Sequence, residues 1–363
     1  MEIEKESTDD NNKDKFLTSL KKSAFAGLIA SVAITFIMLI FLSRSNWKRV
    51  GIVMFVVTII IFLLKNILDI AIQKIGWNRT LLANGLFALF ALLIFLGTTI
   101  RAFAPAMLFM SVHDRKAERA LKKYSNEVVE PLKIETRNGT VTGWLLHNAP
   151  DKSPVVLYFG GNGEDAAYRM SRLMENSEEL TAMEGCNIAC LDYPSYGNSE
   201  GTASEKSFQQ YGLAVYDYLT GRNDVSGVIV MGYSIGTGVA NYVASQRQPL
   251  GLILIAPYAD GYDLYNSYLN IFHGPLKLLV SFKMKSVKYA EKVTIKPLIL
   301  ASNADETVPY KSSQKLFEKY KKGCNFITID GIGHDTFWDS KEVLMEISKY
   351  IASVNVTDRK KKY

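Results

Sequence analysis

The sequence predicts an α/β domain, a mostly parallel sheet flanked by helices, preceded by about three transmembrane helices. Three observations carry that prediction. Residues 23–112 hold only eight charged side chains in long, strongly apolar runs. From about residue 125, short continuously apolar runs alternate with helix-length amphipathic runs, the pattern of strands buried on both faces between crossover helices. One interval between two of those strands, residues 257–295, holds far more chain than a single crossover needs and reads as a helical cap insertion.

The 363 residues are 48% hydrophobic, 21% charged and 11% aromatic, which excludes a disordered or fibrous chain. The averages hide a split. Residues 1–22 form a charged tail with five Lys and six Asp or Glu, whereas residues 23–112 hold seven basic side chains and one acidic. Of the net charge of +6, residues 1–100 contribute +4 (11 basic, 7 acidic) and residues 101–363 contribute +2 (31 basic, 29 acidic). A domain so nearly neutral has no electrostatic footprint for nucleic acid, and that class is dropped. Cys186, Cys190 and Cys324 form no disulfide framework and no CxxC pair, and two of them lie in an apolar run as small buried hydrophobes.

Residues 23–43 are uncharged, and about 20 apolar residues at 1.5 Å each cross a bilayer core of roughly 30 Å. The run exceeds the usual apolar core of a signal peptide and no small-residue cleavage site follows, so it reads as an uncleaved span. A second span is expected at 50–72, where Lys65 and Asp69 share a helix face and can pair near an interface. A third is expected at 80–100, between Arg79 and Arg101. Residues 102–112 are too short to cross and contain Pro105; they read as an interfacial or domain-contacting segment. Three spans put the two ends on opposite faces. Positive charges do not decide the orientation, since seven flank each side. Moving the charged N-terminus across the membrane is costly, so the domain after the spans is expected on the extracytoplasmic side of a multi-pass protein of the cell membrane.

Residues 125–355 form the α/β domain, with 356–363 a basic tail. Val128–Arg137 and Thr140–His147 flank Asn138-Gly139, the strongest short-range hairpin signal. Apolar strands follow at 154–159, 187–192, 227–231, 250–255, 297–301 and 325–329. Helices are expected near 165–180, 203–220, 236–247, 311–321 and 336–353.

Gly232-Tyr233-Ser234-Ile235-Gly236 follows the strand GVIVM and opens a helical run, the strand–turn–helix context of a nucleophile elbow. The tight turn needs glycine on both sides, and Ser234 stands at a helix N-terminus that favours developing negative charge. A serine needs a base, and the base needs an orienting acid. Of four histidines, His113, His147 and His273 lie in the membrane-proximal segment, a hairpin strand and the insertion. His334 follows the last strand on a glycine-rich loop at the carboxyl edge of the sheet. Asp305 follows the strand PLILA at the same edge; Glu306 is its rival, with strand register favouring Asp305. The order Ser234…Asp305…His334 is that of the α/β-hydrolases. The tetrahedral intermediate's oxygen needs backbone donors, expected from Ile235 and, on the loop Phe159-Gly160-Gly161-Asn162-Gly163, from Asn162. No Lys-[Ser/Thr] follows that loop, which excludes a nucleotide P-loop.

These residues resemble the α/β-hydrolase fold serine hydrolases, in particular the membrane-anchored branch that includes lipid hydrolases and depalmitoylases. The resemblance covers residues 125–355. It rests on Phe159-Gly-Gly-Asn-Gly, Leu191-Asp-Tyr-Pro-Ser-Tyr-Gly-Asn-Ser-Glu-Gly201, Gly-Tyr-Ser234-Ile-Gly, Asp305-x-x-Val-Pro and Gly-His334. Where many such proteins have His-Gly, this sequence has Gly160-Gly161: backbone donors survive, but any contact of the histidine ring is lost. The resemblance implies hydrolysis of carboxylic esters or thioesters through an acyl-enzyme, with no cofactor and no metal. A peptidase or amidase using the same triad, and a non-catalytic membrane scaffold, are the alternatives. The insertion carries Tyr258, Tyr262, Tyr265, Tyr268, Phe272, Leu276, Leu278, Leu279 and Phe282 among Lys277, Lys283 and Lys285. Such a surface can line an acyl-chain pocket, face a bilayer, or merely pack on the domain. The expected partners are the lipid bilayer and an acyl ester or thioester substrate.

Overall fold

The computed structural model describes residues 108–361, apart from Asp151 and Leu269, together with the single positions 56, 60, 61, 93 and 97. The predicted tail 1–22 lies outside the described residues, as do the spans 23–43, 50–72 and 80–100 apart from those positions. Among the described residues no helix is long and apolar enough to cross a membrane. The chain divides into two compact units, Met1–Ala106 and Met107–Tyr363.

The second unit is built on an eight-stranded sheet of order β1-β2-β4-β3-β5-β6-β7-β8. Strands β1 (Val129–Thr136) and β2 (Gly139–Leu146) form the Asn-Gly hairpin, and β2 pairs antiparallel with β4 (Asn187–Leu191). All other pairings are parallel: β3 (Ser153–Phe159) with β4 and β5 (Val225–Tyr233), then β6 (Gly251–Ile255), β7 (Leu298–Ser302) and β8 (Asn325–Ile329). Every residue of β4, β6 and β7 is buried, as strands covered on both faces by helices are. The edge strand β8 is covered only at its last residue, because nothing pairs with its outer side.

The helices are α1 (Arg115–Leu121), α2 (Ala166–Glu175), α3 (Ser177–Ala182), α4 (Glu205–Thr220), α5 (Gly236–Gln246), α6 (Gly261–Tyr268), α7 (Ser286–Ala290), α8 (Tyr310–Phe317) and α9 (Lys341–Lys361). Caps set several of their starts. Asp165 accepts the Tyr168 N–H for α2, and a Ser204–Ser207 capping box starts α4. The single helix expected at 165–180 is two, because Asn176 leaves the helical region and its side chain caps α3. The helix expected at 336–353 is a 3-10 stretch (His334–Asp339) followed by α9, which continues to Lys361 through most of the expected basic tail.

The amino-terminal boundary also shifts. Leu108 and Phe109 are buried, with the Phe109 ring 4.8 Å from Phe208 and 5.0 Å from Phe282. The unit therefore begins at Met107 rather than near 125, and residues 108–112 pack on it. Burial of the Phe109 ring against Phe208 and Phe282 holds this short apolar segment on the domain, one of the two readings its length allowed.

In the insertion, α6, a 3-10 stretch (Gly274–Leu279) and α7 lie between β6 and β7. Tyr258, Tyr265, Phe272 and Phe282 are buried there, with Tyr265 and Phe272 in edge contact at 5.5 Å. These aromatic side chains are packing rather than the lining of an acyl pocket. The exposed apolar groups are aliphatic instead: Ile271, Leu276 and Leu278.

The loop after β4 closes around Asp192, whose Oδ1 accepts the Ala166 N–H at 2.8 Å and whose Oδ2 accepts the Thr142 hydroxyl at 3.4 Å. Burial, reinforced by neighbouring Asp165, pushes its pKa up to about 6. An acid with a raised folded pKa binds its proton more tightly in the native state, so its contribution falls as pH rises from about 4 to 6. The loss is on the order of 3 kcal/mol. Urea unfolding of Asp192→Asn should therefore gain on wild type across that window, because the amide is never charged. A stability difference that stays flat between pH 4 and 7 would refute this.

Candidate active site

Because β3, β5, β7 and β8 run parallel, the loops that follow them meet at one edge of the sheet. Ser234 sits between β5 and α5 with φ of +52°, in the left-handed region that costs an L-residue roughly 1–2 kcal/mol. The flanking glycines make the turn possible. A Cβ on Gly232 would lie 2.7 Å from both the Gly236 carbonyl oxygen and the Thr237 Cα, and one on Gly236 would overlap the Phe159 carbonyl. The Thr237 hydroxyl and N–H both donate to the Ser234 carbonyl, at 2.6 and 3.0 Å, which holds the serine at the start of α5.

The three predicted residues are brought together across 100 residues of chain. His334 Nε2 lies 2.9 Å from Ser234 Oγ, and His334 Nδ1 lies 2.8 Å from Asp305 Oδ2. The side chains of His334 and Asp305 are 7% and 2% exposed, so the relay is shielded from water. Asp305 Oδ1 accepts the N–H groups of Thr307 and Val308 at 2.8 and 2.7 Å, which fixes the carboxyl group and leaves Oδ2 to the imidazole. An accepting Asp305 places the imidazole proton on Nδ1 and leaves Nε2 free to accept from Ser234. Glu306, the rival acid, points elsewhere: its Oε2 accepts the His334 N–H at 3.2 Å.

Two supporting residues escaped the sequence reading. The Tyr233 hydroxyl donates to the His334 carbonyl at 2.7 Å, and its ring stacks on the imidazole at 5.2 Å and 24°. Tyr233 occupies a variable position of G-x-S-x-G, so no motif marks it. Glu164 accepts the Gly161 N–H at 2.8 Å; in the sequence it is one of two adjacent acids after the glycine loop, and nothing marks it from Asp165. The Ser302 hydroxyl donates to the Ile332 carbonyl at 2.6 Å and ties the histidine loop to β7.

The loop carrying Asn162 runs beside the serine, a Cβ on Gly161 lying 3.8 Å from Ser234 Cβ. Asn162 Oδ1 accepts the Met110 N–H at 2.8 Å and the Tyr196 hydroxyl at 3.2 Å. Ile235 directly precedes α5, whose first N–H groups have no acceptor within the helix. A cavity of about 700 Å³ adjoins this edge, lined in part by Gly161, Asn162, Tyr168, Tyr233, Asp335 and Trp338. The other histidines lie outside the site: His113 contacts Glu118 at 2.9 Å, His147 Glu130 at 3.3 Å, and His273 Asn270 at 2.7 Å. Cys186 and Cys190 are buried, and burial pushes the Cys190 thiol up to about 12, so it carries no thiolate chemistry. Among the described residues no group of three or more His, Cys, Asp or Glu is placed to hold a metal ion.

A parallel sheet with this strand order, and a strained serine on the turn from β5 to α5, make the chain an α/β-hydrolase-fold protein. No family model matches it. It is 26% identical over 234 residues to an uncharacterized protein of Mycobacterium tuberculosis, covering 61% of this chain and 79% of that one. It is 27% identical over 240 residues to the α/β hydrolase domain-containing protein WAV2 of Arabidopsis thaliana, covering 60% and 76%. With the α/β hydrolase domain-containing protein 17C of Xenopus tropicalis, identity is 25% over 242 residues, covering 65% and 75%. Among solved structures, an esterase of Pyrococcus furiosus superposes with a TM-score of 0.53 at 18% identity, covering 67% of this chain and 97% of that one. An α/β hydrolase of Vibrio vulnificus superposes with a TM-score of 0.55 at 20% identity, covering 72% and 92%.

Proposed function

We propose that the protein is a membrane-anchored serine hydrolase that cleaves carboxylic esters or thioesters through an acyl-enzyme. The observation that carries the reading is the buried hydrogen-bonded chain from Ser234 Oγ through His334 to Asp305. His334 Nε2 takes the serine proton as Oγ attacks the acyl carbon, and Asp305 steadies the imidazolium. The N–H groups of Ile235 and Asn162 receive the oxyanion. His334 returns the proton to the leaving alcohol or thiol, and water then releases the acid by the same steps in reverse. The test is fluorophosphonate labelling of membranes containing the protein or Ser234→Ala, combined with a panel of esters, thioesters and peptides. Labelling that survives Ser234→Ala overturns the assignment.

The substrate we assign is a lipid or lipid-modified molecule presented at a bilayer. Three uncharged runs before residue 101 support an anchor, with the catalytic domain on the extracytoplasmic face. The exposed Ile271, Leu276 and Leu278 on the cap, alongside Lys277, and the exposed Met110 beside Gly163 support contact with lipid. Each methylene taken out of water contributes about 0.8 kcal/mol, so four more acyl carbons laid on the exposed Ile271, Leu276 and Leu278 should raise kcat/KM by roughly 10²-fold in a p-nitrophenyl ester series from acetate to decanoate. Leu276→Ser with Leu278→Ser should lower turnover of vesicle-presented esters and leave p-nitrophenyl acetate unchanged. A wild type that prefers acetate would refute the lipid reading and leave a small-ester hydrolase.

A further inference from the structure

Residue 160 begins the loop beside the nucleophile, and the space its side chain would fill is already taken. A Cβ built on Gly160 lies 2.7 Å from Glu164 Oε2. The same carboxylate oxygen accepts two hydrogen bonds, from the Gly161 N–H at 2.8 Å and from the Tyr158 hydroxyl at 2.9 Å. Burial pushes the Tyr158 hydroxyl well above its ordinary range, so it donates rather than ionises. Glu164 is itself braced. Arg169 Nε lies 3.8 Å from Glu164 Oε1 and is a buried nitrogen with no hydrogen-bond partner, holding the carboxylate by charge. The Arg169 guanidinium is fixed in turn, 4.9 Å from the Tyr158 ring centroid and 4.1 Å from that of Trp338, and paired with Glu179 at 2.8 Å.

We propose that Glu164 is a positioning residue for the oxyanion loop: it fills the place of a side chain at residue 160 and clamps Gly161 against Ser234. On one side of Asn162 the backbone is then held by Glu164; on the other, the Asn162 side chain is held by Met110 and Tyr196. The N–H between these two anchors is the one assigned to the oxyanion. The inference rests on the serine hydrolase reading. It goes beyond that reading in giving an acid outside the triad a role in transition-state binding.

The experiment measures kcat and KM on a p-nitrophenyl ester for the full-length protein in detergent. Active-site titration with a fluorophosphonate counts the folded sites. Loss of a preorganised oxyanion donor costs about 10²–10³ in kcat, and misplacing one should cost roughly 10²-fold in Glu164→Ala with KM little changed. Glu164→Gln keeps an oxygen that can accept from both Gly161 and Tyr158, and should retain kcat within about tenfold of wild type. Gly160→Ala pushes the carboxylate aside without removing it and should reproduce the Glu164→Ala loss. The double variant should be no worse than Glu164→Ala alone, since both changes undo one contact. The proposal is overturned if Glu164→Ala or Gly160→Ala keeps wild-type kcat, if only KM moves, if Gln is as damaging as Ala, or if the two losses multiply. A wild type with no esterase activity and no Ser234 labelling would instead overturn the hydrolase reading itself.

Discussion

Ser234→Ala and His334→Ala should each lower kcat for acyl transfer by about 10³–10⁶, and the double variant should be scarcely worse than either alone. The reason is geometric. Ser234 Oγ is 2.9 Å from His334 Nε2. The hydroxyl therefore loses its proton acceptor when the imidazole is removed, and the imidazole has nothing to activate when the hydroxyl is removed. In the proposed mechanism nucleophile and base act as one unit, so their losses should not multiply. Residual catalysis would come from the oxyanion donors and from substrate binding. Ser234→Ala removes one oxygen at a turn set by Gly232 and Gly236, whereas His334→Ala removes a buried ring stacked on Tyr233, so both are compared per folded protein. Rapid-quench measurement of acyl-enzyme formation on equal amounts of folded protein checks this. Turnover unchanged in Ser234→Ala, or double-variant losses that multiply, would mean that the chemistry lies elsewhere.

Asp305→Asn should lower kcat by about 10²–10⁴, while Glu306→Gln should stay within about threefold of wild type. The two acids are adjacent in sequence but differ in what they hold. Asp305 Oδ2 meets the imidazole Nδ1, and its Oδ1 is fixed by two backbone N–H groups. Among the described residues Glu306 accepts the His334 backbone N–H, a bond that a glutamine oxygen can keep. An asparagine whose oxygen stays on Thr307 and Val308 presents its NH₂ to Nδ1. The ring proton then moves to Nε2, and that nitrogen, facing Ser234, can no longer accept the serine proton. Steady-state kinetics on the two single variants decide the matter. A full-activity Asp305→Asn beside an impaired Glu306→Gln would exchange their roles.

Much of this was legible before any coordinates. Continuous apolar runs such as Leu252-Ile-Leu-Ile255 can be satisfied only by burial on both faces, so they mark parallel strands. Gly232 and Gly236 mark a turn that tolerates no Cβ. The histidine and the acid could be picked because each follows its own strand at one sheet edge. The cap was read less well. Its aromatic spacing is helix-like, yet periodicity records only which residues share a face and not what that face meets. Tyr265 and Phe272 met each other, and Leu276 and Leu278 were left outside.

The sequence alone determined the parallel α/β core, the hairpin before it and the placing of a serine, a histidine and two adjacent rival acids at the sheet edge. Each of these follows from local chemistry: residue size at a turn, apolar continuity along a strand, residue type at a strand's end. Only the tertiary structure decided which carboxylate faces the imidazole, that Tyr233 braces the histidine, and that Glu164 occupies the space Gly160 leaves open. Those contacts join residues by distance rather than by pattern. A side chain's partner across a packed interior depends on the shapes of every neighbour between them, and no spacing along the chain encodes that.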